Sequence, residues 1–305
     1  MRFTYVCLSL AMSFLLFGCS EMSSKEEVET NWSFQTENGQ SFNIVEIQHL
    51  MESYIKGIDE EDVVFADYKE AVIEPIYNDC FLDGEFLPIA EGVLSQKPEN
   101  FDKLMRTIER MNSKEVKDSL SEALELSATA LPIEKEINVC LLPVSYPGIG
   151  MAVGSDKILI LFDEYFSIDH FKVTLAHEYH HSAWEAEYRK PSEKWTVLDN
   201  MVFEGKAVMF QEIIYPHQQM INTNEIYDQE AWDYASPHFE KETLEHSNQI
   251  LYGGFDPLPS LYGYSEGYRM VKNYLEENPN LSIPEWTEQD AATIFKEGSH
   301  EENYD

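Results

Sequence analysis

The chain has 305 residues, enough for one large domain or two small ones. Hydrophobic residues make up 43% and aromatics 13%, which excludes a disordered or collagen-like chain and allows a sizeable core. Twenty-one basic residues face 56 acidic ones, and the formal net charge of −35 excludes nucleic acid as a partner and repels anionic lipid headgroups.

The N-terminus reads as an export signal: Arg2 supplies a short positive region, and Val6 to Phe17 is an apolar run too short to span a bilayer as a stable helix. The run ends in Leu16-Phe17-Gly18-Cys19, which resembles a bacterial lipobox. That resemblance implies a signal peptide at 1–18, cleavage before Cys19 and lipid on its sulfur. The protein would then sit outside the cytoplasm, anchored to a lipid bilayer by acyl chains rather than by charge. An ordinary signal peptide that happens to contain a cysteine is the alternative. Residues 19–40, polar at their start and poor in apolar groups, are expected to be a flexible tether.

Residues 41–132 are expected to form a helical N-terminal region. Ile44, Ile47, Leu50, Met51 and Tyr54 recur at helical spacing and predict a helix over 44–56 that ends at Gly57. The stretches 60–79 and 99–128 also read as helices, and none of this region carries a catalytic pattern. Cys80 and Cys140 could pair in an oxidising compartment, but two positions do not establish a pairing, and two small buried hydrophobes is the preferred reading.

The texture changes after Pro132, opening a second region over 133–298. Ile137–Leu142, Met151–Val153 and Ile158–Phe162 read as strands, the last two joined by a turn at Gly154-Ser-Asp156. An exposed edge in such a sheet can pair with an extended peptide. A helix then starts near Ser167 or Asp169 and runs to about Tyr188, with Val173, His177, His181 and Trp184 on one stripe. Thr196-x-x-Asp199 is a capping signature for the next helix, whose inward stripe is Val197, Met201, Glu204 and Val208. A carboxylate on that apolar face needs a partner. Residues 264–277 read as a further helix, with Tyr264, Tyr268, Val271 and Tyr274 on or near one side, and Pro284 to Phe295 as a last short one.

The chemistry centres on His177-Glu178-Tyr179-His180-His181, an H-E-x-x-H pattern. Histidines four apart on a helix are near neighbours and can share one tetrahedral Zn2+. Glu178, rotated about 100° around the axis, is placed for a general base acting on a metal-bound water. His180, at an x position, is expected in the core. A metzincin would need Gly at 184 and His at 187; Trp184 and Glu187 stand there.

Glu204 follows His181 across a second helix, and Glu204-Gly205-Lys206-Ala207 resembles the gluzincin metallopeptidases, which take a third ligand from such a Glu. Asp199, Glu212 and His217 are rival third ligands. Thermolysin-like members carry an Asp where Val208 stands, so another group must orient a ligand histidine, with Asp199 and Asp163 as candidates. Tyr262, Tyr264 and Tyr268 are candidates for an oxyanion-stabilising phenol, with Tyr264 preferred. Asn138–Phe162, Leu175–Ser182, the Glu204-Gly205 helix and the Tyr264, Tyr268, Tyr274-Leu275 segment together resemble the YjaZ-like family of bacterial predicted zinc-dependent proteases.

The resemblances imply an α+β fold, mostly helical, with a small β-sheet preceding a zincin-like active-site helix. They imply a membrane-anchored peptidase acting on peptides or proteins, with Zn2+ held by His177, His181 and Glu204 and with Glu178 as base. Two rivals remain. One is a non-catalytic envelope lipoprotein on a zincin-like fold, which a broken motif would favour. The other is a closed structural zinc site, for which the sequence offers no fourth ligand.

Overall fold

The computed structural model describes residues 31–190, 195–216, 218, 221 and 226–304. The expected signal peptide, Cys19 and the rival ligand His217 lie outside the described residues. The fold is α+β, mostly helical around a mixed sheet. Among the described residues no helix is long and apolar enough to cross a membrane.

The strands are β1 (Asn31–Gln35), β2 (Ser41–Glu46), β3 (Ile137–Pro143), β4 (Ile149–Gly154) and β5 (Lys157–Phe162). They form one sheet in the order β1-β2-β3-β5-β4. The pairs β2–β3 and β3–β5 are parallel, whereas β1–β2 and β4–β5 are antiparallel. β5 is buried at every position, as a parallel strand covered on both faces should be. Alternation sorts its side chains: Ile158, Ile160 and Phe162 enter one core, Leu159 and Leu161 the other.

Before β3 come α1 (Gln48–Lys56), the short turns α2 (Phe65–Tyr68), α3 (Tyr77–Cys80) and α4 (Glu91–Leu94), then α5 (Phe101–Met111) and α6 (Lys114–Ala130). After β5 come α7 (Ile168–Glu187), α8 (Val197–Ile214), α9 (Gln229–Ala235), α10 (Leu244–Tyr252), α11 (Tyr262–Glu277), α12 (Ile283–Glu288) and α13 (Ala291–Glu297). Residues of α6, α7, α8 and α11 cover the Ile158 face, and residues of α1 to α5 cover the Leu159 face.

Two expectations for the N-terminal third are corrected. The helix expected over 44–56 begins only at Gln48, and residues 41–46 are strand β2. Residues 31–40 are not tether: β1 and its turn pair with β2, Phe34 stacks on Phe42 at 5.3 Å, and the Tyr179 hydroxyl lies 2.7 Å from Gln40 Oε1. The sheet is therefore shared by residues before and after Pro132. Cys80 and Cys140 are also bonded to each other, tying α3 to β3, so the reading of two separate buried thiols is overturned.

Candidate metal centre

α7 starts where Ser167 accepts a hydrogen bond from the His170 amide, and most of its length is buried. Its stripe carries His177 and His181 with ring centroids 4.6 Å apart. α8 begins with the anticipated capping box, Thr196 and Asp199 bonding reciprocally. α8 then meets α11 backbone to backbone. A Cβ on Gly205 would lie 2.1 Å from the Gly267 carbonyl carbon, and one on Gly267 would lie 1.9 Å from Met201 O. Only glycines allow this crossing, and it brings Glu204 and Tyr264 together over α7.

His177 Nε2, His181 Nε2 and Glu204 Oε2 converge. The two nitrogens are 3.0 Å apart, and the carboxylate oxygen is 3.2 and 3.1 Å from them. His177 Nδ1 donates to Gln211 Oε1 at 2.9 Å, so neutral His177 presents a bare Nε2 lone pair. Tetrahedral zinc with bonds near 2.0 Å separates its ligand atoms by about 3.3 Å. Two imidazole nitrogens and one carboxylate oxygen at almost that spacing fit a metal ion, and this trio can hold one. Burial acts to raise the Glu204 carboxyl, but the two imidazoles outweigh it and hold it at about 2. Burial likewise lowers His177, and the facing carboxylates reverse the direction.

Glu178 projects to the side of this trio. Its Oε2 accepts from the Ala152 amide of β4 at 2.8 Å, and burial raises its carboxyl pKa. Gly150 makes the approach possible, because a Cβ there would lie 2.4 Å from Thr174 Cγ2 and 2.7 Å from Glu178 Cγ. Tyr264 lies against His177, ring centroids 6.4 Å apart and 26° from parallel. Burial and the carboxylate of Glu204 push its phenol well above the usual value, and it shares a hydrogen bond with Tyr252.

The other candidates fall elsewhere. His180 is fully buried, stacks on Trp286 at 5.8 Å and is held neutral by burial. Asp199 is used in the capping box. Asp163 binds the amides of Gly148 and Tyr165. Glu212 is absent from the converging group. Tyr262 is buried in the core, and Tyr268 packs into the same cluster. The orienting group is thus Gln211, which sequence reasoning missed although it continues the Glu204–Val208 stripe as a polar residue on an apolar face. Gly150 and Tyr252 were also missed; nothing in the local sequence marks either.

Residues 109–296 match the model of the family described as Predicted Zn-dependent protease (DUF2268). The chain belongs to that family. The match includes the trio, Glu178, Gln211 and Tyr264. Among curated proteins, the chain is 26% identical over 151 residues to Uncharacterized protein YjaZ of Bacillus subtilis (strain 168), covering 45% of this chain and 56% of that protein. The chain thus spans little more than half the length of that relative. Among solved structures, it superposes on the crystal structure of an aminopeptidase N family protein from Idiomarina loihiensis with a TM-score of 0.41 and 10% identity, covering 87% of this chain and 42% of that one.

Proposed function

We propose that this member of the Predicted Zn-dependent protease family is a zinc peptidase built on His177, Glu178, His181 and Glu204. The observation that carries the reading is the convergence of the two imidazole nitrogens and one carboxylate oxygen within 4.8 Å of one another. His177, His181 and Glu204 would hold Zn2+. When bound, zinc polarises a substrate carbonyl and makes water acidic enough to ionise near neutral pH. Gln211 fixes the His177 tautomer. Glu178, whose carboxyl pKa burial raises, takes the proton of the attacking water and passes it to the departing amine. Tyr264 keeps its proton and donates it as a hydrogen bond to the oxyanion. An extended peptide pairs with the upstream edge of β4, around Gly150, beside Glu178.

The anchor is proposed on sequence grounds: residues 1–18 as signal peptide, Cys19 as the lipidated residue, and an extracytoplasmic position. The Cys80–Cys140 bond supports an oxidising compartment. Cys19→Ser should move the protein from the membrane to the soluble fraction.

Paired variants test the site. Glu178→Gln should keep zinc and lose about 100-fold or more of peptide hydrolysis, whereas Glu204→Ala should lose zinc. A Glu204→Ala protein with full zinc content would sink the ligand assignment. Zinc-loaded wild type that turns over no peptide in a library would favour a non-catalytic module instead.

A further inference from the structure

The outer edge of β4 is exposed at its upstream end and, among the described residues, occupied at its downstream end. β4 is an edge strand, and Ala152 marks the point where its outer edge meets Glu178. Upstream, Ile149 is 52% exposed and Gly150 carries no side chain. Downstream, the ladder to β5 is irregular between Ala152 and Gly154, and the edge is already occupied. The Phe86 amide donates to Val153 O at 2.8 Å. The Glu85 carboxylate accepts from Ser155 N at 2.9 Å and Ser155 Oγ at 2.8 Å. The fit is tight: a Cβ on Gly84 would lie 2.6 Å from Val153 O, and one on Gly154 would lie 2.2 Å from Glu85 Oε2. From there the Phe86 ring reaches Phe203 at 5.9 Å and Trp195 at 6.2 Å, and Phe203 stacks on His181 at 4.1 Å. The wall therefore runs from the strand edge to one of the three ligand residues.

We infer that this wall makes the cleft blind, so that the site receives the amino-terminal end of a peptide and removes residues from it rather than cutting inside a chain. The inference rests on the peptidase reading. Direction follows from pairing: antiparallel ladders are the more stable per residue. A peptide antiparallel to β4 points its amino terminus along β4's own direction, toward Val153 and the wall. Charge agrees. Burial acts to raise the Glu85 carboxyl, but its bonds to Ser155 and the nearby Lys135 charge prevail and hold it below the usual value, so it is ionised and suits an ammonium group. Arg189 pairs with Glu185 and lies over the Phe86 and Trp195 rings at 5.6 Å, and Lys135 donates to the Ser155 hydroxyl. In the reaction the first peptide C–N bonds break in turn, water supplying OH to each carbonyl carbon and H to each released amine.

The test compares one short peptide with its N-acetylated form on the zinc-loaded full chain, with products read by mass spectrometry. Binding of both forms to Glu178→Gln is measured by calorimetry in parallel. Stepwise loss from the free amino terminus, with acetylation slowing cleavage and weakening binding by about ten-fold or more, is the expected result. Phe86→Ala, which lowers the wall, should narrow both ratios. Internal cleavage of the acetylated peptide at the rate of the free one would overturn the inference and leave the peptidase reading intact. Absence of cleavage with the binding preference retained would overturn the peptidase reading and leave amino-terminal recognition standing. Equal binding of the two forms, or binding of neither, would overturn the inference whatever the turnover.

Discussion

Gln211 decides which nitrogen of His177 is available, because its amide oxygen can only accept and so keeps the ring proton on Nδ1. Gln211→Leu removes the acceptor while keeping the bulk. Zinc affinity should fall about 10- to 100-fold, as is usual when a ligand's orienting partner is lost, with the far-ultraviolet circular dichroism unchanged. Gln211→Glu, which restores an acceptor, should recover it; competition against a chromophoric chelator reads both. Lys206, two residues beyond Glu204, makes a different prediction. Its ammonium is buried, donating to the carbonyls of Thr287 and Gln289 at 2.8 and 2.5 Å, and burial lowers its pKa to about 7. That lies below the unfolded value of about 10.4. Unfolding therefore takes up a proton between those pH values, and stability should rise with pH across that window. Lys206→Met leaves two carbonyls without a donor at every pH, but it should flatten the rise. Urea midpoints from pH 7 to about 9.5 separate the slope from the constant loss.

The α8–α11 crossing shows how much a single element pair carries. Gly205 follows the proposed ligand Glu204, and Gly267 stands one turn after Tyr264, so a spacer between the helices displaces both side chains at once. Gly205→Ala or Gly267→Ala forces a Cβ into backbone at about 2 Å. The expected cost is about 3 kcal/mol, the upper end for overpacking, with zinc affinity falling alongside the urea midpoint. A lower midpoint with unchanged affinity would show that the crossing only stabilises. The helices themselves were legible because their signals are local: the Ser167 cap, the Thr196–Asp199 box and the 3.6-residue stripes through His177 and Glu204. β3, β4 and β5 were legible as apolar runs broken by Gly and Pro. β2 was not, because Ile44, Ile47, Leu50, Met51 and Tyr54 mimic one helical face, while Val139, the partner of Ile44, lies far along the chain. The same distance hid Gly150 and Gln211, whose roles exist only once β4 and α8 close around α7.

At the scale of the molecule, the sheet separates two cores that are held by different means. The core on the Ile158 face contains the helices that bear the trio and would be fastened by zinc. The core on the Leu159 face contains Cys80 and Cys140, whose bond closes a 60-residue separation between α3 and β3. In the chain-entropy account a link of that length stabilises by about 4 kcal/mol. A ligand that binds only the folded state adds about 4 kcal/mol at 1,000 times its Kd. If the sheet isolates the two faces, the contributions should be independent: reducing the disulfide should lower the urea midpoint equally with and without zinc, and the zinc affinity of the reduced folded protein should match that of the oxidised one. The four-state comparison, oxidised or reduced and metal-free or zinc-loaded, reads the coupling directly, with additivity to within about 0.5 kcal/mol expected for independent sites. Coupling well above that would mean that β3, which carries Cys140 on one face and Leu141 on the other, transmits strain between the cores, and that the Cys80–Cys140 bond helps to set the geometry around Glu178.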